Sequence, residues 1–106
     1  MKPTLVIPMY NESSILPDTL KQTAEYMNRE FPDGYEIIFS DDGSTDNSRG
    51  IVDDFAKTHP NTRSVGYEKN RGKGAAVRTA VLASTGDIVV YTDCDLAYGT
   101  DVIGEA

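Results

Sequence analysis

Four short strand-like runs alternate with three longer stretches of helical period, and the joints between them are short. No other feature limits the fold of this chain as much. The runs TLVIPMY (4–10), YEIIFS (35–40), TRSVGYE (62–68) and DIVVYT (87–92) carry the β-branched and aromatic bias of strands. Between the first two, ILPDTLKQTAEYMNREF (15–31) sets Leu16, Leu20, Ala24, Met27 and Phe31 near helical spacing, with Ser13 or Ser14 as cap and Pro17 in the first turn. DNSRGIVDDFAKTH (46–59) reads as a second helix, capped by Ser44 or Asp46, with Ile51, Val52 and Phe55 facing inward. GKGAAVRTAVLAS (72–84) is a third, stopped near Gly86. This alternation predicts an α/β class: a mainly parallel sheet with helices on its faces, in three layers, α/β/α.

The bulk properties narrow the function. The 106 residues suffice for one small domain. A formal net charge of -7 argues against general nucleic-acid binding. An acidic chain that binds an anion needs a local basic patch, a helix N-terminus or a bridging metal. No apolar run nears the ~20 residues needed to cross a bilayer. The N-terminus lacks the pattern of a secretory signal, and the single cysteine, Cys94, allows no internal disulfide, so a cytoplasmic setting is expected.

In open parallel sheets, ligands sit outside the carboxyl ends of the strands. The joints at those ends read PMYNES, DDGSTDNS, EKNRGKGAA and TDCDLAYG, and all are polar. Asp93 and Asp95 stand one residue apart after the fourth run. In extended backbone, residues i and i+2 project to one side, so both carboxylates can reach one hard cation such as Mg²⁺ or Mn²⁺. The bland alternative is a pair of solvated aspartates at a strand tip. Asp41 and Asp42, before Gly43 and Ser44, suit either ribose or base recognition or an ordinary turn and cap. Asp42, Ser44, Asp46, Ser48 and Asp53 match an EF-hand count in part, but Asn47 stands where glycine belongs and position 12 is not Glu. Arg71 and Lys73 flank Gly72 at a helix start, where cations and free backbone N–H groups could hold an anion; an ordinary basic loop is the alternative. The spacing from Gly66 to Gly72 is one residue too long for a Walker A loop, and Gly74 occupies the Ser/Thr position.

Taken together, VIPMYNES, DDGSTDNS and NRGKGAAVRTAVLASTGDIVVYTDCDL resemble the inverting family 2 glycosyltransferases of the GT-A fold, in the branch that acts on polyprenyl or dolichyl phosphates. The resemblance runs from residue 4 to about 103. It implies a Rossmann-like nucleotide-diphospho-sugar transferase half-domain occupying residues 1–106. It also implies a donor such as a UDP- or GDP-hexose, and a lipid-phosphate acceptor. Pro8, Tyr10, Asn11 and Glu12 would line the nucleotide pocket. Asp41 would contact base or ribose, with Asp42 supporting it. Arg71 and Lys73 would face the nucleotide or its diphosphate. Asp93 would lie by the ribose or metal, and Asp95 would hold the Mg²⁺ or Mn²⁺ that bridges the diphosphate.

The chain departs from the family pattern at Ala97, where relatives often carry Gln, and at YGTD (98–101). The acceptor-binding part of the family follows the D-x-D strand, so it is expected beyond Ala106; the lipid-phosphate acceptor that the resemblance implies would bring the full protein to the cytoplasmic face of a membrane. An uncovered fourth strand would favour self-association. Two other readings compete: a haloacid dehalogenase-like phosphatase, which also sets D-x-D after a parallel strand, and a non-catalytic nucleotide-binding domain.

Overall fold

Each expected element forms: β1 (Pro3–Met9), α1 (Leu16–Glu30), β2 (Glu36–Asp42), α2 (Ser48–Ala56), β3 (Thr62–Tyr67), α3 (Lys73–Ala83) and β4 (Ile88–Tyr91). The computed structural model describes residues 2–86 and 88–92. The strands form one sheet in the order β3-β2-β1-β4. All its pairings are parallel, with Ile7 opposite Phe39, Ser40 opposite Val65 and Val6 opposite Tyr91.

Strand alternation sorts the core into two faces. Leu5, Ile7 and Met9 of β1 and Ile37 and Phe39 of β2 pack with Leu16, Leu20 and Met27 of α1 and Val52 of α2. Val6 and Ile38 point the other way, to Ala80 of α3. The small residues Ala76 and Ala80 let α3 lie close to the sheet, and both are fully buried. Both crossovers that step from β1 outward place their helix on one face. The crossover that returns places α3 on the other, as right-handed connections require. This is the expected three-layer arrangement.

The helix caps depart from expectation to different degrees. Neither Ser13 nor Ser14 caps α1; its first N–H groups turn back onto the Glu12 carbonyl, with Ile15 and Leu16 both donating at 3.0 Å. Neither Asp46 nor Ser44 is the capping residue of α2, which is Asn47; Asp46, one place earlier, still accepts the Ser48 N–H at 2.9 Å.

The amino-terminal end of the sheet is tied by a buried carboxylate. Glu36 accepts from the Thr4 hydroxyl at 3.0 Å and the Thr85 N–H at 2.9 Å, and pairs with Arg63 at 3.2 Å. Arg63 also donates to the Ala83 carbonyl at the end of α3. Burial pushes the Glu36 carboxyl up, but the bonds from Thr85 and Thr4 and the charge of Arg63 outweigh it and hold the group below its ordinary value. Val81 and Leu82 of α3 and Ile88 and Val89 of β4 are exposed. Among the described residues, no helix is long and apolar enough to cross a membrane.

Candidate functional site

The chain steps from β1 to β2 to β3, then returns to the far side of β1. The strand order therefore reverses at β1, and the crevice of such a sheet opens at the carboxyl ends on either side of that point. Three described loops meet this edge: 10–15, 43–47 and 68–72. The N–H of Thr92 donates to the Val6 carbonyl at 3.0 Å, so β4 runs to the same edge. Asp93 and Asp95 follow immediately in sequence and lie outside the described residues. Their hard oxygen chemistry fits Mg²⁺ or Mn²⁺. Among the described residues, no group of three or more His, Cys, Asp or Glu side chains could hold a metal.

The first two loops are sewn together by side chains more than thirty positions apart. Asn11 adopts φ +51°, a left-handed conformation that Asn tolerates better than most residues. Its side-chain oxygen accepts from the Thr45 N–H at 2.8 Å, the Thr45 hydroxyl at 3.3 Å and the Asp46 N–H at 3.3 Å. In return, Ser44 Oγ accepts the Asn11 N–H at 2.8 Å and Ser48 Oγ accepts the Glu12 N–H at 2.9 Å. Asp46 closes the seam, taking the Ser13 N–H at 3.2 Å and the Ser48 hydroxyl at 2.5 Å. Burial pushes its carboxyl up, but these bonds from Ser48 and Ser13 prevail and lower it to about 2.

Asp41 and Asp42 belong to β2 itself, and the ladder continues through Asp42 opposite Tyr67. As neighbours in a strand they point to opposite faces. Asp41 lies on the α1–α2 side, where Oδ1 accepts the Ser44 N–H at 3.0 Å. Its second oxygen takes no hydrogen bond from the described residues. Asp42 lies on the α3 side and turns into the loop before α3. There it accepts from the Tyr67 hydroxyl at 2.6 Å, the Asn70 side-chain amide at 2.9 Å, the Arg71 N–H at 2.9 Å and the Gly72 N–H at 3.1 Å. Burial, this hydrogen bond and the nearby carboxylate charge push the Tyr67 phenol up to about 12, so it stays a donor. Gly43, at φ +73°, permits the contact: a Cβ there would fall 2.5 Å from the Lys69 carbonyl carbon.

The expected site residues are thus placed unequally. Tyr10 stands at the mouth, 45% exposed. Arg71 and Lys73 are exposed where α3 begins, and the Arg71 guanidinium lies 4.9 Å from the centre of the Tyr67 ring. Glu12 is half-buried behind the mouth. Pro8 is buried inside β1 opposite Ser40, one step below the rim. Asn11 is part of the seam between loops. The free N–H groups expected at the start of α3 are only partly free, because those of Arg71 and Gly72 are taken by Asp42. The calcium-like count also dissolves: Asp42 and Asp46 serve different loops on different faces. Tyr67 and Asn70 enter the site unforeseen, and Ser44 and Ser48, expected only as turn, cap or calcium-count residues, instead bond the loop after β1. Their partners are distant in sequence, and the residue types alone signal only turns.

The family model for glycosyl transferase family 2 matches residues 4–106. The chain is 39% identical over 106 residues to a dolichyl-phosphate beta-glucosyltransferase of Trichomonas vaginalis, covering 96% of this chain and 32% of that protein. It superposes with a TM-score of 0.78 on a mannosyltransferase of Pyrobaculum calidifontis in complex with GDP-Man and Mn²⁺, at 35% identity, covering 88% of this chain and 27% of that one. Against Staphylococcus aureus TarS in complex with UDP the TM-score is 0.77 at 26% identity, over 99% of this chain and 32% of the other. The chain therefore spans about a third of the length of these proteins.

Proposed function

The chain belongs to glycosyl transferase family 2, has the GT-A fold of its structural neighbours, and on that premise we propose that it forms the donor-binding part of an enzyme moving a hexose from a nucleotide diphosphate to a polyprenyl or dolichyl phosphate. The observation that carries this reading is the convergence of the loops after β1, β2 and β3 on the crevice where the strand order reverses. The unused oxygen of Asp41 and the exposed ring of Tyr10 stand at that mouth, and cationic side chains open α3.

Each residue then has a task. Tyr10 offers a flat face to the base. Asp41 accepts a hydrogen bond from base or ribose with its second oxygen. Arg71 and Lys73 face the diphosphate. Pro8 and Glu12 shape the pocket wall, and Asn11 holds it closed on the β2 side. Asp93 and Asp95 hold Mg²⁺ or Mn²⁺, and Asp93 also borders the ribose. Such an ion offsets repulsion between carboxylates and diphosphate and stabilises the departing nucleotide diphosphate. A phosphate acceptor is already ionised and needs little help from a general base. A lipid-linked acceptor requires a membrane surface, and the proposal sets the reaction at its cytoplasmic face.

The test is calorimetric titration of UDP, GDP and their hexose conjugates into the full-length protein, with and without Mn²⁺. The expected result is metal-dependent binding that Asp95→Ala weakens by about 2 kcal/mol or more, the scale for removing one partner of a buried charge contact. Absence of affinity for any nucleoside diphosphate, with or without the ion, refutes it.

A further inference from the structure

We propose that Asp42 is a positioning residue: it holds the 68–72 loop, and thereby aims Arg71 and Lys73 at the donor diphosphate, without itself touching the donor. This deepens the donor-binding reading and rests on it. The residue is 5% exposed, although it stands at the rim of a solvent-facing site. A carboxylate has about four lone-pair sites. Tyr67, Asn70, Arg71 and Gly72 all donate to it, and the Gly72 N–H is shared between both oxygens at 3.1 Å. No acceptor capacity is left for a ribose hydroxyl or a base N–H.

All of these donors come from one segment, 25 to 30 positions downstream. The main-chain carbonyl of Asp42 also takes the Asn70 amide at 3.1 Å. Arg71 is referenced to this one group twice. Its backbone N–H bonds Asp42 directly, and its guanidinium rests over the ring of Tyr67, whose hydroxyl bonds the same carboxylate. The next residue, Gly72, has φ +99° and open space where a side chain would be. A loop ending in such a residue has little to fix it except its hydrogen bonds. Lys73 follows as the first residue of α3. Strand alternation explains why two adjacent aspartates do unlike work: Asp41 keeps an oxygen for the ligand, and Asp42 spends both on the loop.

Asp42→Asn is nearly isosteric but replaces one acceptor with a donor, which must then face an N–H. Tyr67→Phe is the milder variant, removing a single donor should Asp42→Asn fail to fold. Two affinities are measured in the full-length protein with Mn²⁺: for the nucleoside diphosphate it binds, by calorimetry, and for the matching nucleoside, by NMR titration. Amide exchange at Arg71 and Gly72 is followed alongside. We expect nucleoside affinity to hold within about twofold, diphosphate affinity to fall about tenfold or more, and both amides to exchange at least about tenfold faster, on the scale of a hydrogen bond to a charged group. Tyr67→Phe shifts the same quantities in the same direction by less. Equal loss for nucleoside and diphosphate overturns the proposal, and so does unchanged diphosphate affinity with faster exchange. If the unsubstituted protein binds no nucleoside diphosphate, the donor-binding reading falls and the aiming role falls with it; the exchange rates then decide the loop anchoring alone.

Discussion

Asn11 allows backbone conformation and side-chain bonding to be separated at the mouth of the site. Its left-handed φ of +51° and its bonds to Thr45 and Asp46 are both needed where β1 turns into the loop before α1. Asn11→Gly keeps the conformation accessible and deletes the bonds. One of these is short, at 2.8 Å, and two are long, at 3.3 Å, all at an exposed position, so the loss is about 1 to 1.5 kcal/mol. Asn11→Ala deletes the same bonds and adds about 1 kcal/mol or more for placing a Cβ in left-handed backbone. Asn11→Asp keeps both an acceptor and the tolerance for that conformation, and adds only repulsion from nearby Asp46. Urea unfolding should rank stability as unsubstituted, Asp, Gly, Ala, with Gly and Ala separated by about 1 kcal/mol. Equal effects of Gly and Ala would show that the conformation carries no cost. A neutral Gly variant would show that the seam between the loops contributes nothing.

At the other end of the sheet, Glu36→Gln retains an acceptor for Thr4 and Thr85 but sets an amide against Arg63. Arg63 is 44% exposed, so its charge contributes under about 1 kcal/mol, and the total loss should be about 1 to 2 kcal/mol, or roughly 5–10 °C in Tm by thermal circular dichroism. The folded carboxyl lies below its ordinary value, so its stabilisation is present above that ordinary value and is lost as pH falls through the folded one; the Gln variant should lack this part of the acid slope. The seam bonded by Asp46 should persist well below the ordinary carboxylate range. NMR titration of the Ser13 and Ser48 amides should show a midpoint near 2 rather than 3.8, and a midpoint at 3.8 would remove Asp46 from the seam. Gly43→Ala drives a methyl group into the backbone of Lys69 and Asn70 at φ +73° and should cost about 2 kcal/mol or more, read by urea unfolding, with weaker donor binding because the loop before α3 must shift.

The strands and helices were legible because their burial pattern is carried locally. Leu16, Leu20, Ala24 and Met27 share one face of α1 in the structure as they do in the spacing, and all are buried. The ends of elements were less legible. Asp41 and Asp42 read as a turn after β2 because Asp is a poor strand residue. They continue the ladder because other groups satisfy them: the nearby Ser44 N–H for one, and Tyr67 through Gly72, far along the chain, for the other. Ser13 and Ser14 read as caps, yet the Glu12 carbonyl starts α1 and the Ser13 N–H is taken by Asp46. Such pairings are properties of the loops as brought together by the sheet, and residue types in one segment do not specify them.

The charge distribution connects these details to chemistry. In a chain of net charge -7, each carboxylate buried at this sheet edge must be hydrogen-bonded or left for a ligand, whereas the exposed ones are solvated. Asp46 is compensated by Ser13 and Ser48, and Asp42 by the loop before α3. Asp41 is compensated on one oxygen only. The uncompensated capacity of the buried pair Asp41 and Asp42 is therefore small and directed, while Arg71 and Lys73 stand exposed where α3 begins. An edge so arranged favours a ligand with hydrogen-bond donors at one end and concentrated negative charge at the other. A nucleoside diphosphate has that polarity, with N–H and O–H groups on base and ribose and anionic oxygens at the phosphates. Because the two requirements fall on opposite faces of β2, one short strand end meets both, and a change at Asp41 and a change at Asp42 should be felt at opposite ends of the same ligand.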